Sequence, residues 1–401
     1  MKLARLLLCP SLLAFGSLAA AEPASLTDAV AQGKISLHAR LRSEHVAQTG
    51  LIDADALTLR TRLGFTTAKF AGWQFSAEGE NVAALDGDAY NQSGLNPAAA
   101  RRAVVADPET TELNQVWLAF THDKTTATLG RQKLVLDNAR FVGDVGWRQN
   151  QQTFDVFALT DKSFAGTTLT YAYLDQVNRV FSRRHAQGRW DSDSHLLHAS
   201  YVASPAATVT AYAYLLKFPN SAANSCATYG VSITGARTLT SDLKAVYRAE
   251  LATQSDSGPS PLRYTTLYHC FEVGLAHARG SLTLGHEVLG SDNNVGFKTP
   301  LATLHAFNGW ADLFLTTPNA GLRDVYVKAT ATLPQAVAAT VFYHWFEAHR
   351  GGADLGGEFD LMLTRKFGKN FTATAKVADF RTDSASLPDV RKVWLQVEFI
   401  W

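Results

Sequence analysis

Polar and apolar side chains alternate along much of this chain. Between Lys34 and Glu44 every second residue is polar or charged, and the apolar residues Ile35, Leu37 and Leu41 fall between them. Successive side chains of a β-strand point to opposite faces, so a period of two predicts a strand with one apolar and one charged face.

The same period returns along the rest of the chain. It is clear in Leu57–Phe65, Trp73–Glu80, Asp324–Leu333, Val337–Trp345, Glu358–Thr364, Phe371–Val377 and Val393–Trp401. Following it from end to end predicts about eighteen strands, each close to the roughly 9–11 residues that cross a bilayer at a tilt. An even number of strands leaves both termini on the same side of the membrane.

The connections between these strands alternate in length. The short ones are Lys69–Gly72, His122–Lys124, Ser204–Ala206, Pro334–Gln335 and Gly368–Asn370, and the long ones include Leu85–Thr110, Gln132–Gln151, Arg179–Asp193 and Gly290–Leu322. Short periplasmic turns and long extracellular loops are typical of outer-membrane barrels.

A soluble β-sandwich would also alternate, but its outer face would be polar and its inner face a large apolar core. Here the polar face carries full charges in many strands, and the apolar face is rich in Leu, Val and aromatic residues. The pattern therefore predicts an all-β fold, a transmembrane antiparallel up-and-down β-barrel of about 18 strands over residues 22–401.

The first 21 residues have the features of a secretory signal peptide. Lys2 and Arg5 precede the apolar run Leu6–Leu18, which is too short to span a membrane, and the small residues Ala19–Ala21 predict cleavage before Glu22. We therefore expect export, with the mature chain in the outer membrane of a Gram-negative cell.

Composition narrows the class of protein further. The 401 residues include 37 basic and 36 acidic side chains, for a net charge of +1, so no basic excess points to nucleic acid. The mean hydropathy of −0.06 argues against a helical membrane protein and a disordered chain. The mature chain keeps Cys226 and Cys270, which either form a disulfide or, as we favour, serve as small apolar residues.

Catalytic motifs and metal-binding motifs find little support. His195 and His198 are three residues apart, which on a strand places them on opposite faces. His344 and His349 lie near a predicted loop, where we expect them to be solvated. No Gly-rich phosphate loop with a lysine is present. We therefore predict neither an enzyme nor a cofactor.

Three segments resemble the alginate-export family of Gram-negative outer-membrane channels. Leu129–Asp155 resembles the third-loop signature of that family. Thr299–His305, Phe307–Asp312 and Gly321–Asp324 form a second match, and Asp389–Trp401 is the third, ending in an aromatic residue like the signal that the barrel-assembly machinery reads. The resemblance implies a barrel narrowed by inward loops. The best-known member of the family exports alginate, and many relatives are general porins.

The candidate pore-lining residues are those on charged strand faces and in the loop Leu134–Gln151. They are Arg40, Arg42, Arg60, Arg62, Glu78, Glu80, Arg131, Asp137, Asn138, Arg140, Arg148, Gln149, Asp155, Lys328 and Lys376. Two interpretations of the arginines stay open. They form a constriction that attracts anions, or they pair with Glu78, Glu80, Asp137, Asp144 and Asp155 to brace the wall.

The uncharged residues of this loop have two interpretations as well. Asn138 and Gln149–Gln151 either line a path for polar solutes or satisfy backbone groups of a long loop, and we favour the second. Phe141 and Trp147 are expected to anchor the loop to the wall rather than to stack on a solute.

These observations predict a passive channel for small polar or anionic solutes, narrowed by Leu134–Gln151. The alternatives are an export channel for an anionic polysaccharide such as alginate and a structural barrel with a plugged lumen. Expected partners are outer-membrane lipid, the solute and the barrel-assembly machinery, and no nucleic acid.

Overall fold

A computed structural model describes residues 22–401, and the predicted signal peptide at 1–21 lies outside the described residues. After the short helix α1 (Leu26–Ala31), the strands are β1 Lys34–Gln48, β2 Ala54–Thr66, β3 Trp73–Ala84, β4 Thr110–His122, β5 Thr125–Gln132, β6 Thr153–Asp161, β7 Thr167–Asn178, β8 Arg189–Ser204, β9 Ala207–Leu216, β10 Cys226–Thr238, β11 Leu243–Asp256, β12 Thr265–His277, β13 Gly280–Leu289, β14 Ser291–Asp292, β15 Val295–Gly296, β16 Leu322–Leu333, β17 Val337–Ala348, β18 Asp354–Phe367, β19 Phe371–Arg381 and β20 Val390–Ile400.

Eighteen of these strands form one closed antiparallel ring. Each pairs with its neighbours in sequence, β13 pairs with β16 across the longest loop, and β20 returns to β1 through pairs such as Arg40 with Glu398. The strands β14 and β15 form a separate small hairpin. Closure leaves no unpaired sheet edge, as a bilayer requires, and the predicted fold class is confirmed.

The apolar and the polar side chains that alternate along the sequence form the outer and the inner surface of the barrel, respectively. On the outside, Leu63, Val273 and Leu395 are each 60% exposed, whereas Arg42 and Arg60 on the inside are fully buried. Because the exposed face is apolar around the ring, it suits hydrocarbon, and the ionic face surrounds the bore.

Long loops and short turns lie at opposite ends of the barrel. The loops 85–109, 133–152, 179–188 and 290–321 follow strands that run away from the termini, and the turns on the terminal side are short, as predicted. One boundary was wrong. The loop expected to reach Asp193 ends at residue 188, because Trp190 and Ser192 already alternate inward at the start of β8.

The loops 133–152 and 290–321 fill part of the bore. Phe141 of the first loop and Phe297 and Trp310 of the second belong to a buried apolar cluster that also includes the wall residues Tyr212 and Tyr268. Cys226 and Cys270 are buried and unbridged, consistent with small apolar residues. Among residues 22–401 no helix is long and apolar enough to cross a membrane.

The outer face provides a stability prediction. Leu395 lies at the middle of β20 and Leu333 at the turn end of β16, and both side chains face outward. We expect Leu395→Arg to reduce the free energy of unfolding by about 2–4 kcal/mol and Leu333→Arg by about 0–1, because the cost of a buried guanidinium depends on its depth in the bilayer. Denaturant unfolding in lipid vesicles measures both, and equal losses would contradict a lipid-facing surface.

Candidate functional site: a basic wall and two inward loops

The four arginines predicted on β1 and β2 lie together on the inner wall. Arg40 donates from Nε to Glu398 Oε1 at 2.5 Å, and Arg42 donates from Nε to Gln396 Oε1 at 2.9 Å. Arg62 is bonded to Glu80. The alternation of the first two strands, together with that of β20, therefore places a ladder of guanidinium groups on one side of the bore.

Arg60 differs from the other three arginines. Its Nη2 lies 2.9 Å from His38 Nε2 and 3.7 Å from Glu398, but within residues 22–401 its buried Nε and Nη1 have no hydrogen-bond partner. Unpaired donors on a buried guanidinium are costly, and they leave the positive charge of Arg60 less compensated than those of Arg40 and Arg62.

The loop 133–152 folds inward onto this wall, as predicted. Arg40 Nη1 donates to the carbonyl of Trp147 at 3.0 Å and Arg42 Nη2 donates to the same carbonyl at 2.6 Å. The Arg42 guanidinium also lies 4.3 Å from the centre of the Trp147 ring. Gln149 donates from its backbone to Asp107 and from its side chain to Thr58. The C-terminal part of the loop is therefore held against this wall.

A second loop, 290–321, joins the first. Gly143 donates its backbone N–H to Leu301, and Thr303 donates to Ala139, so the two loops share backbone hydrogen bonds. Arg148 Nη2 donates to Asp312 Oδ2 at 2.6 Å, bridging the loops by a buried ion pair. The constriction is thus built mainly from two interlocked loops, with Asp107 of loop 85–109 bonded to the first, whereas the sequence interpretation assigned it to one loop.

The second loop has its own contacts with the wall. Lys392 Nζ donates to Asp312 Oδ2 at 2.7 Å, and Ala311 donates its N–H to Glu358 at 2.6 Å. Lys376 Nζ lies 2.7 Å from His305 Nε2 and 3.6 Å from the centre of the Trp310 ring. An ammonium group against aromatic faces is stabilised by cation–π attraction.

On the opposite wall, Arg140 fixes the first loop. Its Nε donates to Glu287 Oε1 at 2.7 Å and its Nη2 donates to Asn308 Oδ1 at 3.0 Å. Phe141 packs its ring 5.3 Å from Tyr212 and 5.2 Å from Tyr268. Phe141 and Trp147 both pack against wall residues, in agreement with the anchoring expected from the sequence.

Some predicted residues lie outside this central cluster. Arg131 and Asp155 pair with each other at 2.6 Å and share the alternation of the exposed Leu129 and Phe157, so they belong to the outward face and not to the pore lining. Asp137 contacts His198.

The remaining predicted residues lie at other inner positions. Asn138 and Lys328 line a cavity of about 230 Å³ beside Phe342 on the far side of the loops. Glu78 accepts hydrogen bonds from Asn114 and Gln115 on the inner wall.

Sequence analysis missed most of the acidic partners. Those on strands are Glu44, Glu287 and Glu398, and those in loops are Asp107 and Asp312. The strand residues could have been found from alternation alone. His344, expected to be solvated, is instead buried on the inner face with Nδ1 2.9 Å from Asp324 Oδ1, because β17 extends past it to Ala348.

Positive side chains predominate on one part of the inner wall. On the inner face of β1 and β2, the guanidinium groups of Arg40, Arg42, Arg60 and Arg62 outnumber the single carboxylate, Glu44, whereas β13, β16 and β18 carry the buried carboxylates Glu287, Asp324, Glu358 and Asp360. Beside β1 and β2, this local excess favours anions. Within residues 22–401, no group of three or more His, Cys, Asp or Glu side chains is arranged to hold a metal ion.

The ion pairs of the second loop shift the pKa values of its titratable groups. Burial lowers the pKa of His305 well below its usual range, against the opposing effect of Asp312. Burial by itself would raise the pKa of Asp312, but His305, Lys392 and Arg148 hold it well below its usual range. The closed loops therefore favour a neutral imidazole beside an ionised carboxylate.

A pH dependence of the closed loops follows. An exposed imidazole binds a proton below about pH 6.5, whereas the buried His305 does not, so closure weakens as the pH falls below that value, by up to about 1.4 kcal/mol per pH unit. Asp312 would contribute a loss only below its ordinary pKa near 3.9. We expect open-channel current noise to rise between about pH 7 and pH 5, and His305→Gln to remove that rise. Equal noise at both values in the native protein would contradict the assignment.

Comparison with known proteins agrees with this geometry. Residues 31–172 match the family model described as alginate export, a range that includes Leu129–Asp155. No curated protein matches the chain in sequence.

Solved structures match the chain over nearly all of its length. OccK9 (OpdG) of Pseudomonas aeruginosa is 17% identical, with a TM-score of 0.73 over 93% of this chain and 100% of that one. OccAB4 of Acinetobacter baumannii is 12% identical, with a TM-score of 0.74 over 92% and 98%. OpdK of Pseudomonas aeruginosa, solved with vanillate, is 14% identical, with a TM-score of 0.72 over 92% and 98%. Residues 31–172 thus resemble the alginate-export family, and the described residues as a whole share the 18-stranded fold of these solved outer-membrane barrels.

Proposed function

We propose that this barrel is a passive outer-membrane channel for small polar or anionic solutes. The observation that carries the proposal is the basic wall, where the buried Nε and Nη1 of Arg60 have no partner among residues 22–401. A carboxylate in the bore beside this wall is attracted by the positive field of the guanidinium groups. Conduction also requires release, and the carboxylates Glu398 and Glu80 on the same wall offset part of this field.

The structural neighbours support a small organic anion as the solute. OpdK was solved with vanillate, which is an aromatic carboxylate, so a barrel of this fold has been solved with such an anion. The candidate pore-lining residues are assigned accordingly. Arg40, Arg42, Arg60 and Arg62 supply the positive field, and Arg140, Arg148 and Gln149 hold the loop that narrows the path.

Export of an anionic polysaccharide is the second candidate, and the family match at residues 31–172 favours it. The interlocked loops argue against it, because a polymer chain would have to displace the buried Arg148–Asp312 and Arg140–Glu287 pairs together. Breaking buried ion pairs is strongly unfavourable. Diffusion of small solutes requires no such displacement.

The proposal also covers export, membrane insertion and assembly of the barrel. Residues 1–21 direct export and are removed, the outer face contacts outer-membrane lipid, and the aromatic C-terminal strand is the segment read by the barrel-assembly machinery. We assign no catalytic activity, no cofactor and no nucleic-acid partner to the barrel.

Planar-bilayer recording tests the proposal. We expect discrete conductance steps, a reversal potential on the anion side in a KCl gradient, and reduced current when an organic carboxylate such as vanillate is added. Cation selectivity would contradict the basic wall as the selective element. Absence of current above background would reject both channel functions and favour the plugged structural barrel.

A further inference from the structure

A cavity of about 180 Å³ lies on the extracellular side of the two loops, away from the basic wall. Its lining comes from the loops 179–188, 217–225 and 290–321 with the start of β8, and it includes Arg179, Lys298, Gln187 and Asn224. It also includes hydroxyl groups such as that of Thr317, but no carboxylate. Such a lining is unusual in a chain with nearly equal numbers of basic and acidic residues.

Neither cation of this cavity has an acidic partner. Within residues 22–401, Arg179 and Lys298 form no ion pair, and the sole hydrogen bond from the Arg179 side chain joins Nη1 to the Gln187 carbonyl at 3.1 Å. Consistent with this, burial alone lowers the pKa of Arg179 to about 10. The guanidinium Nε and Nη2 and the ammonium Nζ are therefore donors without a protein acceptor in the described chain.

The guanidinium of Arg179 and the backbone of Lys298 are held in place by their surroundings. The Arg179 guanidinium lies 4.0 Å from the centre of the Trp190 ring and 4.7 Å from that of Phe181. The backbone of Lys298 is fixed by Gln254 of β11, which donates to its carbonyl at 2.8 Å and accepts from its N–H at 2.7 Å. A site whose charged groups are already positioned binds without the entropic cost of ordering them.

From this arrangement we infer a capture site for a small hydroxylated carboxylate at the extracellular entrance of the channel. The carboxylate contacts Arg179 and Lys298, and the hydroxyl groups of the solute bond to the Thr317 hydroxyl and to the amides of Gln187 and Asn224. Pro300 of the lining directly precedes Leu301, which accepts a hydrogen bond from Gly143 of the first loop, so a bound solute lies next to the constriction. The inference rests on the proposed function for its biological purpose.

Calorimetric titration of the purified full-length barrel in detergent tests the site, with gluconate as the probe. We expect gluconate to bind the native protein at least tenfold more tightly than the uncharged analogue sorbitol. We expect Arg179→Gln with Lys298→Gln to weaken gluconate binding at least tenfold. The matched control is Arg263→Gln, on the neighbouring loop 257–264, where the guanidinium is already paired with Asp256 at 2.9 Å. That variant should bind as the native protein does.

A charge-preserving pair separates lost chemistry from a distorted loop. Arg179→Lys with Lys298→Arg should retain gluconate binding within about threefold, because both positive charges stay in the cavity. No gluconate binding to the native protein, equal binding of sorbitol, or full retention by the glutamine pair would each overturn the inference. If the native protein conducts anions but the Arg179→Gln, Lys298→Gln variant still binds gluconate, the capture site is rejected and the channel function stands. If gluconate binding is lost in that variant but the native protein shows no conductance, the channel function is rejected and the binding site stands.

Discussion

Replacing Arg60 by glutamine is expected to move the reversal potential in a KCl gradient toward the potassium value. Arg60 is fully buried on the inner wall, and its nearest carboxylate, that of Glu398, lies 3.7 Å from Nη2. Removing it subtracts one positive charge from the narrow part of the bore, where water and salt screen least. Its Nε and Nη1 bond to no residue of 22–401, so few protein contacts are lost with it.

The control for this experiment removes one positive and one negative side chain together, so that the net charge of the wall stays the same. Arg62 and Glu80 are bonded to each other, so Arg62→Gln with Glu80→Gln removes a cation and an anion from the same wall. The reversal potential of this double variant should stay close to the native value. If the two variants shift the potential equally, the change reports altered packing and not the field of Arg60. An unchanged potential in Arg60→Gln would remove this residue from the selectivity of the channel.

We propose that the two interpretations of the arginines, anion attraction and bracing, apply to different residues. Arg140 and Arg148 are fully engaged with Glu287, Glu44 and Asp312, so they brace the loops. Arg60 keeps unpaired donors, so we propose that it contributes to the positive field that attracts anions. Arg40 belongs to both groups, because it bonds to Glu398 and also holds the carbonyl of Trp147.

The fold was predictable because a closed barrel repeats one local rule. Alternation alone assigned the inner face of β1 and β2, and the same rule applied to β20 would have placed Glu398 on the inner face, where the register of the two strands brings it beside Arg40. It would also have separated Arg131 from the pore, since Arg131 and the outward Leu129 are two residues apart on β5. His344 was misplaced for a similar reason, because it was assigned to a loop and not to its strand.

The loop contacts could not have been predicted in this way. Asp107 and Asp312 meet Arg148 across 41 and 164 positions of sequence, and no periodic pattern fixes the path of a loop through the bore. The path depends on packing of Phe141 and Trp147 against residues of distant strands. The segments within 299–312 that resemble the alginate-export family pointed to loop 290–321. They did not indicate that this loop binds loop 133–152.

Deleting Leu134–Gln151 and joining the strands with a short glycine-rich turn is expected to raise the single-channel conductance by a factor of about two or more. Gln132 and Phe154 are paired across β5 and β6, so a short turn closes the gap without strain. An 18-stranded bore that no loop fills is wide enough for an aqueous channel. The same deletion removes Arg148 and Arg140, so Asp312 and Glu287 each lose one ion-pair partner and the second loop loses its bonds to the first.

The interlocked loops add a feature that a single-loop constriction would not show. Because loop 290–321 remains but is no longer held, the enlarged current should fluctuate between levels, whereas a single-loop constriction would give a larger and steady current. Deleting Ser384–Leu387, in the loop 382–389, is the matched control, since no hydrogen bond or ion pair in the described chain joins this segment to either inward loop. That control should leave conductance and noise unchanged. An unaltered conductance after removal of Leu134–Gln151 would mean that solutes take a path along which this loop is not the narrowest point.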